Sequence, residues 1–447
     1  MALRRVGPRG FGVRGAAVAV LAAGTLAGCG NGHGLAPVLQ TASGVAAFTL
    51  DNAALYVVGV PETGTVTAYR LSDGRQTWRV PDIPGTAGLT STTAVLSTYP
   101  ARCADDEDLT FTMLDAFTGA ARWRHAGTPV AASADGAAYV LRERGTPPGC
   151  TGGTDMRSPD ADDSPATAGT GTGADRLVAL DTTTGAAAWT RPLDASTAVA
   201  TVAAGSGSPA GMVTVSGLTA ASGLVTLATD GTLQSLDPAT GAPRATIRLS
   251  AAARPDPPPV RLVTAGRTLV LAAPVADEGA VGLSAYDPLT LTPQWTVQLP
   301  LPATDVVYEP CGNLLCVDGP DSTVAVDPAT GTPRWHLDGL VRQAGRRIAV
   351  ATQVPATDST RLVDVATGRV TRTLAHSVVV GEAAPAARLV LSRMDGDRTT
   401  FSVLDLDTGD LREVGAVTGR YDSCQAGTGY LACRATDSAA IHLWRIR

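Results

Sequence analysis

Lysine is absent from this 447-residue chain, so all 35 basic residues are Arg. Together with the excess of Ala, Gly and Thr, this reads as the codon bias of a GC-rich genome rather than a demand of the fold. Histidine is scarce. His33, His125, His336, His376 and His442 are scattered, with no HxxxH or HExxH spacing, which removes the commonest zinc-hydrolase pattern. No Gly-x-Ser-x-Gly, Walker or Gly-x-Gly-x-x-Gly stretch stands in a fitting context, and no nucleophile–base pair is recognisable. No segment approaches 18 consecutive apolar residues, the length of a membrane-spanning helix. Helical periodicity is missing as well. Aromatic residues make up only 4% of the chain, so the positions of the six Trp carry information.

The N-terminus is organised for export. Arg4, Arg5, Arg9 and Arg14 precede the apolar run GAAVAVLAAGTLA, which is too short to span a bilayer comfortably and right for a signal peptide. The run ends in LAGC, Leu26 to Cys29, which resembles the lipobox of bacterial lipoproteins. That resemblance implies cleavage after residue 28, acylation of Cys29, a short tether over 29–35, and residence on the outer face of the cytoplasmic membrane. Losing residues 1–28 removes four Arg and no acid, so the net charge falls from −6 to −10. An acidic mature chain argues against nucleic acid or anionic lipid as the main partner. The expected membrane contact is therefore the lipid on Cys29.

One line recurs along the rest of the chain: apolar alternation, then Asp-x-x-x-Gly, then Trp. It appears as FTMLDAFTGAARW, LVALDTTTGAAAW and VAVDPATGTPRW, and in five looser copies. In these three copies the residues are Asp115, Gly119 and Trp123; Asp181, Gly185 and Trp189; and Asp327, Gly331 and Trp335. Alternation with period two makes a half-buried strand. Asp can hydrogen-bond the backbone of its own turn, and Gly accepts positive φ, so the chain reverses into a hairpin. Trp on the return strand can cover an adjoining turn. Two further β-rich runs lie upstream of each copy. Each unit thus reads as a four-stranded antiparallel meander, strands a to d, of the kind that makes a propeller blade.

These residues closely resemble the PQQ-like β-propeller repeat, found in quinoprotein dehydrogenases and in a propeller lipoprotein of outer-membrane protein assembly. The resemblance covers residues 36–447 and implies an all-β propeller. Eight hairpins and a last three-stranded unit leave the blade number open. Family precedent favours eight, with nine as the alternative. The final stretch, YDSCQAGTGYLACRATDSAAIHLWRIR, lacks a fourth strand, and APVLQT, residues 36–41, is expected to supply it and close the ring. Ala245, Arg372 and Glu413 stand where Trp belongs, and Leu291 replaces the turn Gly. Those blades are expected to be less tightly stapled. Residues 145–174, rich in Gly, Pro, Thr and Asp, read as a disordered loop insertion between strands b and c of the third blade.

Cys29 is assigned to lipid, which leaves six Cys in an exported chain. The repeat register places Cys311 with Cys316 and Cys424 with Cys433 across adjacent strands, and Cys103 with Cys150 in neighbouring b–c loops, and free thiols are the alternative. The family's quinoprotein members typically use adjacent cysteines, a bound calcium and an Asp base. No Cys-Cys dipeptide is present, so PQQ is not expected as a cofactor. Asp105, Asp106, Glu107 and Asp108 form an acidic cluster that reads as a solvated patch, with a Ca²⁺ or basic-partner site as the alternative. The expected function is a non-enzymatic scaffold that binds a cell-envelope protein or an extracellular ligand, with the b–c loop face favoured. The alternatives are a quinoprotein-type oxidoreductase and an envelope protein assembly factor.

Overall fold

The computed structural model describes residues 34–446, apart from 60–63, 82, 84–85, 92–94, 101–109, 134–137, 144–174, 195–196, 204–219, 250–260, 276–279, 302–305, 353–358, 384–386 and 428. Every regular element among the described residues is a β-strand. The strands form a β-propeller of four-stranded antiparallel blades. In chain order the sets of four cover 45–80, 86–126, 128–192, 198–248, 261–299, 307–338, 340–375 and 377–418. A further set joins three C-terminal strands to the N-terminal strand Leu35–Gln40. Among the described residues the sets number nine, one more than the favoured eight. Family precedent favoured eight, and nine was the alternative. Most strands here have only five or six residues, so each hairpin read from the sequence keeps its own set.

The core lies between blades. It divides into nine clusters of buried apolar residues, one for each junction around the ring. The last cluster joins Val45, Leu55 and Val57 of the first blade to Ala432, Ile441 and Leu443 of the ninth. Each sheet thus buries both faces against its neighbours, which is why alternation along these strands is imperfect and strand b is mostly apolar.

The seam is held by several cross-links. Leu35–Gln40 runs antiparallel to Ile441–Ile446, one residue earlier than the sequence indicated. Thr41 and Ile441 exchange two hydrogen bonds at 2.9 Å. The Gln425 amide accepts from the Leu50 N–H at 2.8 Å and donates to the Phe48 carbonyl at 3.2 Å, so it occupies the inner edge of the first blade. On the other side, inner strands Ser377–Ala383 and Tyr421–Gly427 pair directly in parallel. Gly381 permits this approach, because a Cβ there would lie 1.6 Å from the Cys424 carbonyl oxygen. Disulfides Cys311–Cys316 and Cys424–Cys433 each tie strand a to strand b. Cys29, Cys103, Cys150, the acidic cluster 105–108 and the insertion 145–174 lie outside the described residues.

Candidate functional site

The recurrent Asp residues are turn-formers. Asp115 Oδ1 accepts from the Phe117 and Thr118 N–H groups at 3.1 and 3.0 Å and from the Thr118 hydroxyl at 3.0 Å. Its second oxygen takes Arg122 at 2.8 Å. The Arg122 hydrogen bond, reinforced by the turn donors against a small desolvation, holds the Asp115 carboxyl down to about 2. Asp181 is lowered by the Thr184 N–H and hydroxyl, and Asp327 by Arg334. Carboxylates saturated in this way are poorly suited to general-base work.

Gly119, Gly185 and Gly331 sit at φ of 71–73° beneath an indole from the preceding blade. A Cβ at these positions would lie 2.5–2.6 Å from ring carbons of Trp78, Trp123 and Trp295 respectively. Each indole N–H also reaches forward to the carbonyl of the residue after the Asp. Trp78 donates to Ala116, Trp123 to Thr182, Trp189 to Pro238, Trp295 to Pro328 and Trp335 to Val365, at 2.6–3.1 Å. The repeat Trp therefore staples its blade to the next one. Burying most of such a ring contributes on the order of 3–5 kcal/mol per junction.

Where Trp is missing the junction is filled differently. Leu291 adopts φ of 57° and is fully buried in the cluster against which Ala245 packs, so its side chain occupies the indole's place. The Ser235 hydroxyl, cross-strand from Ala245, donates to the Pro288 carbonyl at 2.7 Å in place of the indole N–H. At Arg372, the seventh blade covers the eighth blade's turn with Ile348, whose N–H donates to Leu406 at 2.9 Å. Glu413 faces a ninth blade whose c and d strands come from opposite chain ends, so no c–d turn exists there to cover.

A second set of acids went unread in the sequence. Glu309 lies on the inner strand Val307–Cys311, and burial, added to the Asp318 carboxylate and opposed by Arg342, pushes it up to about 7. Asp318, buried on the neighbouring strand, accepts from the Thr323 hydroxyl and the Val341 N–H, while burial still raises it. Its Oδ2 has no hydrogen-bond partner. Glu382 is pushed to about 6 by burial on the inner strand Ser377–Ala383. The only available signal was a lone acid inside an apolar strand, as in VVYEPC and VVVGEA. Among the described residues no group of three or more His, Cys, Asp or Glu is arranged to hold a metal ion.

The opposite, b–c face offers a firm base for the long insertion. Arg142 Nε and Nη2 donate to Asp175 at 3.1 and 2.7 Å, and Nη1 to the Thr197 carbonyl at 2.9 Å. Glu143 receives Arg176 directly across the strand pair. The described residues on either side of segment 144–174 are thereby tied to each other on the third blade.

The family described as outer membrane protein assembly factor BamB matches residues 174–412, just over half of the chain. The chain belongs to this family. Among solved structures, a eukaryotic initiation factor is 12% identical, with a TM-score of 0.54 over 85% of this chain and 91% of that one. BamB from Moraxella catarrhalis is 13% identical, with a TM-score of 0.42 over 80% and 96%. The dihydro-heme d1 dehydrogenase NirN is 15% identical, with a TM-score of 0.46 over 82% and 75%. Likeness at this level of identity concerns the fold alone. No curated protein matches the sequence.

Proposed function

We propose that this BamB-family chain is a lipid-anchored, non-enzymatic scaffold that holds a protein partner at the outer face of the cytoplasmic membrane. The observation that carries the reading is membership of a family described as an outer membrane protein assembly factor. The export signal over 1–28 and the LAGC stretch ending at Cys29 supply the anchor and the location. The scaffold is a closed ring of nine blades, supported by nine sets of strands and nine inter-blade clusters. The partner binds the b–c face, where Arg142–Asp175 and Glu143–Arg176 fix the strand ends of the third blade that the polar segment 144–174 joins, and where the acidic stretch 101–109 joins strands b and c of the second blade in sequence.

Cross-linking of intact cells followed by purification of the chain tests this. A cell-envelope protein should be enriched with the native chain and lost with Cys29→Ala or with deletion of 151–170. If no envelope protein is enriched over the Cys29→Ala control, the scaffold reading fails. Reconstitution with PQQ and Ca²⁺ that yields substrate oxidation would replace it with an enzyme.

A further inference from the structure

We infer that the face carrying the Asp turns is apposed to the bilayer, with Phe117, Leu289 and Val370 touching lipid, which leaves the b–c face pointing away from the membrane. This rests on the proposed acylation of Cys29. In eight blades strand c ends, and strand d begins, at an Asp turn or its equivalent. In the ninth, strand c is Ile441–Ile446 and strand d is Leu35–Gln40, so Leu35 and Ile446 stand where that turn would be. Contacts fix the level. Arg445 donates to the carbonyl of Ser72, in the first blade's turn, at 2.8 Å. A Cβ on Gly74 of the same turn would lie 2.8 Å from the Val38 carbonyl oxygen of the closing strand.

Leu35 is six residues from Cys29. Six residues reach at most roughly 20 Å when fully extended. The lipidated end therefore leaves the ring from the Asp-turn face on a tether too short for the opposite face to turn toward the bilayer.

The surface suits that position. Phe117 is 69% exposed, the most exposed large apolar side chain among the described residues, and it occupies the turn position held by Thr183, Ala239 and Ala329 in other blades. Leu289 holds the same position in the fifth blade, and Val370 opens the outer strand of the seventh. Both are exposed, so three apolar points are spread around this face; Val307, Val378 and Met394 are similarly exposed toward the b–c face, so the tether decides the orientation and these residues only accommodate it. Ion pairs neutralise turn carboxylates, with Arg122 on Asp115, Arg244 on Asp237 and Arg334 on Asp327. Such a face avoids much of the repulsion that an unpaired acidic surface would meet at anionic lipid.

The test uses the full acylated chain in phospholipid vesicles containing a headgroup-labelled quencher lipid. Phe117→Cys and Met394→Cys each carry a fluorophore, Met394 lying on the b–c hairpin of the eighth blade. Mass spectrometry of the N-terminal peptide reads acylation independently. The expected result is loss of fluorescence at position 117 and none at 394. Loss at 394 alone, or at neither position, in an acylated chain overturns the orientation while leaving the anchor standing. An unmodified Cys29 overturns the anchor and the orientation with it.

Discussion

Two neighbouring junctions of the ring solve one packing problem in different ways. Between the fifth and sixth blades, Trp295 lies on Gly331 and donates to Pro328. Between the fourth and fifth, Ala245, Leu291 and Ser235 divide the same work. The turn backbone is unchanged: the N–H of the fifth turn residue donates to the Asp carbonyl at 2.8 Å whether that residue is Leu291 or Gly331. A leucine in the left-handed region costs about 1–2 kcal/mol. Burying its side chain contributes about 2–3 kcal/mol, enough to offset that cost. What the ring requires is a filled volume and a donor for one carbonyl, and Trp is only the commonest way to supply both.

Mixing the two solutions should break the ring. Gly331→Leu on its own sets a side chain against the Trp295 indole, at a position whose Cβ would already be 2.5 Å from the ring. The expected loss is about 4 kcal/mol in chemical denaturation. Trp295→Ala alone should cost about 3 kcal/mol. The double variant should cost less than the sum by more than ~1 kcal/mol, because the leucine then fills the hole. Strict additivity would refute the exchange. The reverse substitution, Ala245→Trp, drives an indole into the space of buried Leu291 and should cost about 3 kcal/mol. Adding Leu291→Gly should restore most of that stability. If Ala245→Trp is neutral by itself, the two side chains do not compete.

The donor can be separated from the volume. Ser235→Ala removes the hydroxyl that serves the Pro288 carbonyl and leaves the packing nearly intact. A loss of about 1 kcal/mol is expected, with an unchanged denaturant slope. The matching position opposite Trp295 is Ala285, and Ala285→Ser should bring no gain, since the indole already serves Pro328.

The repeat was legible because each unit writes its own turn: Asp, Gly and Trp fall at fixed intervals within a dozen residues. The direction of the Trp contact was not, since spacing within a unit is the same whether the indole covers its own turn or the next. For that reason Ala245 and Leu291 read as two separate defects, when they lie across one junction, 46 residues apart in the chain. Closure by the N-terminal strand was legible from a missing fourth strand. The blade number was not, because family precedent does not fix how many hairpins this chain closes into its ring. Glu309 and Glu382 escaped notice because a single acid in an apolar strand has no pattern; only the fold shows it pressed against other blades.

Turn acids and inner-strand acids should respond to pH with opposite sign, and this is the smallest effect. Asp115 is held below its ordinary 3.8, so the stability it contributes is present above that value and is lost as pH falls toward about 2. Glu309 is raised from 4.5 to about 7, so the folded chain keeps a proton that the unfolded chain has released. Its contribution is therefore full below pH 4.5 and declines as pH rises through about 7. Glu309 is partly open to solvent, and screening limits the effect to no more than about 1 kcal/mol. Glu309→Gln, which is neutral at every pH, should flatten the fall in melting temperature between pH 5 and 8 and raise it slightly at pH 8. Asp115→Asn should leave that window untouched and lower stability at pH 7, where the carboxylate otherwise holds Arg122. If Glu309→Gln lowers the melting temperature at pH 8, the carboxylate is stabilised by an attraction stronger than its burial, and Arg342 rather than Asp318 governs its charge.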